Sequence, residues 1–256
     1  MPEGDTIHRL ATRLRPALEG RPVVRCSVPR WSGAVPQPGE TVDAVRAVGK
    51  HLLVDFSGGL TLRTHLRMSG RWDLYRPDER WTRSAASARV VLEVPGFVAV
   101  CFAAPDVALT RRDRVGTGHL GPDLCDPAPE LDAVVVRAAA GTRATTAIGE
   151  VLLDQRVAAG IGNVYKSETL FLERIDPTAP VDALTPAQLR AVFARAHRLL
   201  RDNLGPAPRR TVPQGLAVYR RTGKPCFTCG ASIARIVQGR ELPRSTFWCP
   251  GCQTGP

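Results

Sequence analysis

The sequence predicts an α+β chain of more than one domain, and three observations carry that reading. Short Val- and Leu-rich segments separated by turn residues fill the first half, apolar positions at helical spacing dominate from about residue 131, and paired cysteines close the C-terminal end. At 256 residues the chain has the length of one large or two ordinary domains and can bury a sizeable core. Hydrophobic residues at 43% and charged residues at 23% exclude an intrinsically disordered polymer. The longest apolar stretch, 90–109, is broken by Glu93, Pro95 and Asp106, so no membrane span is expected. The opening residues Met1-Pro2-Glu3-Gly4-Asp5 place acids where a secretory leader carries bases, which points to the cytoplasm.

The first element is an amphipathic helix of about four turns, with Ile7, Leu10, Ala11, Leu14 and Leu18 on one face and Gly20 to end it. Strands are expected at 21–28, 41–48, 51–56, 60–65, 71–75, 88–94 and 97–102, with Gly58-Gly59 and Pro95-Gly96 as hairpin turns. Antiparallel strands at this spacing suggest a sandwich or a flattened barrel with the helix alongside. Gly121-Pro122 and Asp126-Pro127-Ala128-Pro129 read as a linker. Beyond it, 131–140, 145–157, 164–174 and 186–204 have helical periodicity, the last opening on Thr185, Pro186 and Gln188 as a capping box. Gly205-Pro206-Ala207-Pro208 breaks the chain again, so the expected domains are 1–125, 126–214 and 215–256.

Thirty-five basic against 24 acidic residues give a net charge of +11, which suits a polyanionic partner; arginines scattered over a solvated surface are the plainer alternative. Only three lysines occur, Lys50, Lys166 and Lys224, so each stands out. Seven cysteines in a chain expected to be cytoplasmic argue for metal or thiol chemistry over disulfides. Cys226-x2-Cys229 and Cys249-x2-Cys252 are separated by 19 residues, the spacing of two knuckles that hold one structural Zn2+ across a hairpin. Cys26, Cys101 and Cys125 lie in or near apolar segments and read as inert packing residues.

Three weaker features point to chemistry. The hairpin between the knuckles carries Arg235, Arg240 and Arg244 beside Phe247-Trp248, which suits either a phosphate contact or a solvated surface. Gly160-Ile161-Gly162-Asn163 opens a helix and would make an anion site for a phosphate, or an ordinary helix-helix turn with Asn163 as cap. Removal of Met1 would leave Pro2 as a secondary amine, a fraction of it unprotonated at neutral pH, and such an amine is nucleophilic without further tuning. Glu3 is placed beside it to act as a general acid, or simply to favour a helix start.

These features coincide in one pattern. Pro2-Glu3-Gly4, Val48-Gly49-Lys50-His51-Leu52-Leu53, His65-Leu66-Arg67-Met68-Ser69-Gly70, Leu120-Gly121-Pro122-Asp123, Gly160 to Glu168, and Phe247-Trp248-Cys249-Pro250-Gly251-Cys252-Gln253 together resemble the formamidopyrimidine-DNA glycosylase and endonuclease VIII family. The matches run in family order over nearly the whole chain. The resemblance implies an N-terminal β-sandwich with a flanking helix, a helix-two-turns-helix domain and a C-terminal zinc ribbon. It implies a DNA glycosylase with apurinic/apyrimidinic lyase activity, in which Pro2 forms the Schiff base, Glu3 is the general acid and Lys50 a catalytic or phosphate-binding cation. Asn163 and Arg244 would grip the phosphates flanking a lesion in double-stranded DNA, while Arg67 and Met68 sit on the loop that fills the hole left by an everted base.

The chain also departs from the pattern. Family members commonly carry a second carboxylate where this sequence has Thr6, with Asp5 one position earlier. No arginine-phenylalanine loop is evident in 111–116, which leans the reading toward the endonuclease VIII branch and toward oxidised pyrimidines. A monomer associated with DNA in the nucleoid is expected. The competing class is a lesion-binding protein without efficient turnover; an RNA-directed ribbon factor lacks an aromatic platform, since aromatics are 5% of the chain.

Overall fold

The computed structural model describes residues 2–239 and 243–255; Met1 and Arg240, both singled out above, lie outside them. The described chain divides into two compact units, one of residues 6–118 with Pro2, the other of residues 119–255 with residues 3–5.

Helix α1 (Gly4–Leu18), which belongs to the first unit from Thr6 onward, buries Ile7, Leu10, Ala11, Leu14 and Leu18 as its periodicity predicts. Eight strands follow: β1 (Arg25–Ser27), β2 (Val42–Val48), β3 (His51–Phe56), β4 (Leu60–His65), β5 (Arg71–Tyr75), β6 (Ala88–Val94), β7 (Phe97–Phe102) and β8 (Asp106–Arg111). They form two antiparallel four-stranded sheets, ordered β1-β6-β7-β5 and β2-β3-β4-β8. One apolar core unites both sheets and α1, with Val45, Leu52, Val54, Leu62, Val90, Leu92 and Ala99 among its members. This is the expected sandwich rather than a barrel. Strand β8 is not predicted by the sequence pattern: it opens after Pro105 on a charged residue and pairs along one edge of β4, so it shows no buried alternation.

The second unit holds α2 (Leu131–Ala139), α3 (Ile148–Val151), α4 (Asn163–Leu172), α5 (Pro186–Asp202) and the hairpin β9 (Ala234–Gln238) with β10 (Arg244–Trp248). The capping box of α5 forms as expected, Thr185 accepting from the Gln188 N–H and Gln188 accepting from the Thr185 N–H. The helix expected over 145–157 is a single turn, α3. Its periodic residues Ile148, Val151, Leu152 and Val157 are all buried, but the chain after Val151 runs through turns stapled by side chains. Asp154 accepts from the Arg156 N–H, and Gln155 donates to the Ile161 carbonyl while accepting from the Gly160 N–H.

Candidate active site

Helix α4 is the hub of the site. Its N-terminal N–H groups would be an anion hole for a phosphate on the sequence reading, but the anion they hold is Glu3. Gly162 N donates to Glu3 Oε2 at 2.9 Å, Val164 N to Oε1 at 2.8 Å and Tyr165 N to Oε2 at 3.3 Å. Glu3 is fully buried, and both its oxygens accept, the pattern an ionised carboxylate makes. Two glycines make room for this approach. A Cβ on Gly162 would overlap the Glu3 carboxyl group, and one on Gly4 would sit 2.8 Å from Cys125 Sγ and 2.9 Å from Gly160 Cα. Gly4 N also donates to the Gly160 carbonyl at 2.9 Å, so the N-terminal segment runs against the α4 entry loop. Pro2, half-buried, is the residue bonded to Glu3.

Asp5, the departure from the family pattern, is fully buried and accepts from Arg209 through both oxygens, Nη2 to Oδ1 at 2.5 Å and Nε to Oδ2 at 3.0 Å. The Arg209 guanidinium lies over the Tyr165 ring, 4.9 Å from its centroid. Burial, followed by the Asp5 charge, pushes the Tyr165 phenol well above its ordinary value, so it stays neutral.

The other faces of α4 hold the hairpin. Asn163 Nδ2 donates to the Ser245 carbonyl at 2.6 Å, Lys166 Nζ to Thr246 Oγ1 at 2.6 Å, and Phe247 N to Ser167 Oγ at 3.3 Å. Lys166 is fully buried; burial pushes it down to about 7, against the pull of Glu3 and Glu150 and with a further push from Arg244. Glu168 accepts from the N–H groups of Ala217, Val218 and Tyr219 and from the Thr211 hydroxyl, which fixes the chain between α5 and the hairpin. Arg235 and Arg244 are exposed, whereas Asn163 is buried.

Below the hairpin the Sγ atoms of Cys226, Cys229, Cys249 and Cys252 all lie within 4.8 Å of one another. Cys226 and Cys252 are 3.8 Å apart and Cys229 and Cys249 3.5 Å. A tetrahedron of thiolates about 2.3 Å from one ion has edges of about 3.8 Å, so the four residues fit a single metal. The remaining thiols are inert: burial pushes Cys26 and Cys101 up to about 12, and Cys125 higher still.

In the unit of residues 6–118, Lys50 is half-buried in the two-residue turn between β2 and β3, where Val48 pairs with His51. The segment between β4 and β5 presents Met68, which is 68% exposed. Its neighbour Arg67 has φ of 49°, donates its N–H to His65 Nδ1 at 3.2 Å and its Nε to Asp106 Oδ2 at 2.7 Å. Burial, then the charges of Arg67 and Lys50, push His65 down to about 4, so it stays neutral and can accept that N–H. The structure thus gathers Glu3, Asn163 and the strand of Arg244 around α4, and sets Lys50, Arg67 and Met68 on turns of the sandwich. The sequence singles out Asp5 but not its partner Arg209, and it places Lys166 and Glu168 within the 160–168 motif without pointing to their contacts.

Residues 1–105 match the formamidopyrimidine-DNA glycosylase N-terminal domain and residues 120–207 the helix-two-turns-helix domain of the same enzymes. A probable endonuclease 8 of Streptomyces coelicolor is 43% identical over all of this chain and 95% of its own length. The chain belongs to the formamidopyrimidine-DNA glycosylase and endonuclease VIII family. A DNA-(apurinic or apyrimidinic site) lyase of Mycolicibacterium smegmatis is 38% identical over 99% of both chains. Among solved structures, the Lactococcus lactis glycosylase superposes with a TM-score of 0.82 over 98% of this chain and 99% of its own, at 21% identity, which shows the shared fold. Membership sets the class of activity: a DNA glycosylase with apurinic/apyrimidinic lyase action in base excision repair.

Proposed function

We propose that this glycosylase removes oxidised pyrimidines, such as thymine glycol, 5-hydroxyuracil and dihydrouracil, from double-stranded DNA, with Pro2 as the nucleophile. The observation that carries the choice of nucleophile is Glu3, a buried carboxylate held by three N–H groups one peptide bond from Pro2, while the base preference rests on the sequence of 111–116 and the Pro2-Glu3-Gly4 start. After loss of Met1, the Pro2 nitrogen attacks C1′ and the base departs with the electrons of the glycosidic bond. Formation of the iminium releases a proton from the amine; Glu3 takes it and delivers it to the sugar oxygen as the ring opens. A secondary amine gives a cationic iminium, which acidifies C2′. Water takes the C2′ proton, the electron pair it leaves forms the C2′–C3′ double bond, and the 3′ phosphate departs with the C3′–O electrons in β-elimination; δ-elimination can follow.

Lys50 supplies a second cation, Asn163 and Arg244 hold the flanking phosphates, and Arg67 and Met68 enter the space of the everted base. One Zn2+ on Cys226, Cys229, Cys249 and Cys252 has a structural role, keeping the Arg244 strand folded. We read the chain as a monomer of the cytoplasm and nucleoid, organised as 1–125, 126–214 and 215–256. The Lactococcus lactis structures with abasic-site DNA support damaged DNA as the partner, and leave the choice of base to the lesion test below.

The test is borohydride trapping on duplex DNA with an abasic site, comparing the native chain with one bearing an extra N-terminal residue. A cross-link from the native chain alone is expected. Tight binding with no cross-link would make the protein a lesion binder. Across defined lesions, faster release of 8-oxoguanine than of thymine glycol would overturn the pyrimidine preference.

A further inference from the structure

We infer that Arg209 is a positioning residue for the reaction, holding the Pro2–Glu3 pair in place through Asp5 and Tyr165. The inference rests on the reading of Pro2 and Glu3 above, and is argued from contacts that the nucleophile's chemistry does not require. The N-terminal segment is short, and its alignment depends on where its backbone is pinned. Glu3 is pinned from one side by α4, whose Tyr165 supplies an N–H to Glu3 and the ring beneath Arg209. Two residues on, Asp5 is pinned by both nitrogens of the Arg209 fork. Arg209 therefore touches the same α4 residue that grips Glu3 and the carboxylate that follows it in the chain.

A strap positions only if it is itself held. Asn203 at the end of α5 donates to the Arg210 carbonyl and accepts from the Arg210 N–H, at 2.8 and 2.7 Å, and Glu168 fixes the chain just beyond, at 217–219. The Arg209 side chain is 14% exposed and that of Asp5 fully buried, so the fork works where water does not compete. Both Asp5 oxygens are engaged by this strap.

The experiment measures single-turnover borohydride trapping on abasic-site duplex, affinity for duplex carrying a tetrahydrofuran site, and thermal midpoint. It compares wild type, Arg209→Met, Arg209→Lys and the double variant Asp5→Asn with Arg209→Met. We expect Arg209→Met to trap roughly tenfold to a hundredfold more slowly, with affinity within about threefold of wild type. Arg209→Lys, which keeps the charge but loses the fork, falls between. The double variant removes the buried charge that Arg209→Met deprives of its guanidinium, so its midpoint returns toward wild type while trapping stays slow. Wild-type trapping rates in Arg209→Met, or recovery of rate along with midpoint in the double variant, would overturn the inference. If Arg209→Met does not fold, Arg209→Lys and the double variant decide by the same criteria. Failure of wild type itself to trap would instead sink the reading of Pro2 on which the inference rests.

Discussion

Gly162 isolates what a single residue contributes. Its φ is −121°, open to any L-residue, so alanine there meets no backbone strain. The added Cβ would overlap the Glu3 carboxyl group, and the surrounding N–H groups are fixed by α4, so Glu3 must leave its cradle. Gly162→Ala is therefore expected to slow trapping by roughly a hundredfold with the fold intact. Circular dichroism and single-turnover trapping check it, and a wild-type rate would show that the three N–H contacts are dispensable. Glu3 was legible in the sequence because it sits beside Pro2, the nucleophile we propose. Arg209 was not: it is one of 35 basic residues and 204 positions from the acid it pairs with, and nothing local marks an arginine that a buried carboxylate will claim.

At the scale of elements, α4 was legible as a helix with an anion-binding start, and the structure changes which anion it binds. The helix over 145–157 and strand β8 show why periodicity runs out. Apolar spacing records burial, and turns stapled by Asp154 and Gln155 bury the same residues as a helix would; an edge strand such as β8 has too little burial to alternate. The three bonds from α4 to β10 have a titratable member in Lys166, faced by Glu3, Glu150 and Arg244. Its lowered pKa means that the folded chain binds fewer protons than the unfolded chain between about pH 7 and the ordinary lysine value of about 10.4. Stability from this group therefore rises with pH across that window and is flat below it. Lys166→Met should remove a pH-dependent contribution of roughly 3–5 kcal/mol at most. Denaturant melts of the zinc-loaded protein at pH 7 and pH 9 measure it, and an unchanged pH slope in the variant would show that Lys166 is charged in the fold.

For the molecule as a whole, the roles we propose in catalysis and in grip on DNA rest on different supports. The Glu3 cradle is built from N–H groups of the α4 entry loop and first turn, with Arg209 behind it, and not from the hydrogen bonds that hold the β9–β10 hairpin. Two five-residue strands are too little to hold themselves, and the hairpin depends on its bonds to α4 and on a small core containing Cys226, Phe247 and Cys249. Withdrawal of the metal, or Cys249→Ala, should loosen β10 and with it Arg244, while leaving Glu3 in place. The expected result is a DNA affinity at least about tenfold weaker, with the slope of log affinity against log salt reduced by about one for each phosphate that the loosened hairpin releases. Trapping at saturating DNA should stay within a few fold of wild type, because binding can be driven by concentration and the reacting groups have not moved. Affinity unaffected by metal removal would place the phosphate grip elsewhere among the surplus of positive charge, and a fall in trapping that keeps step with affinity would mean that the hairpin supports the chemistry after all.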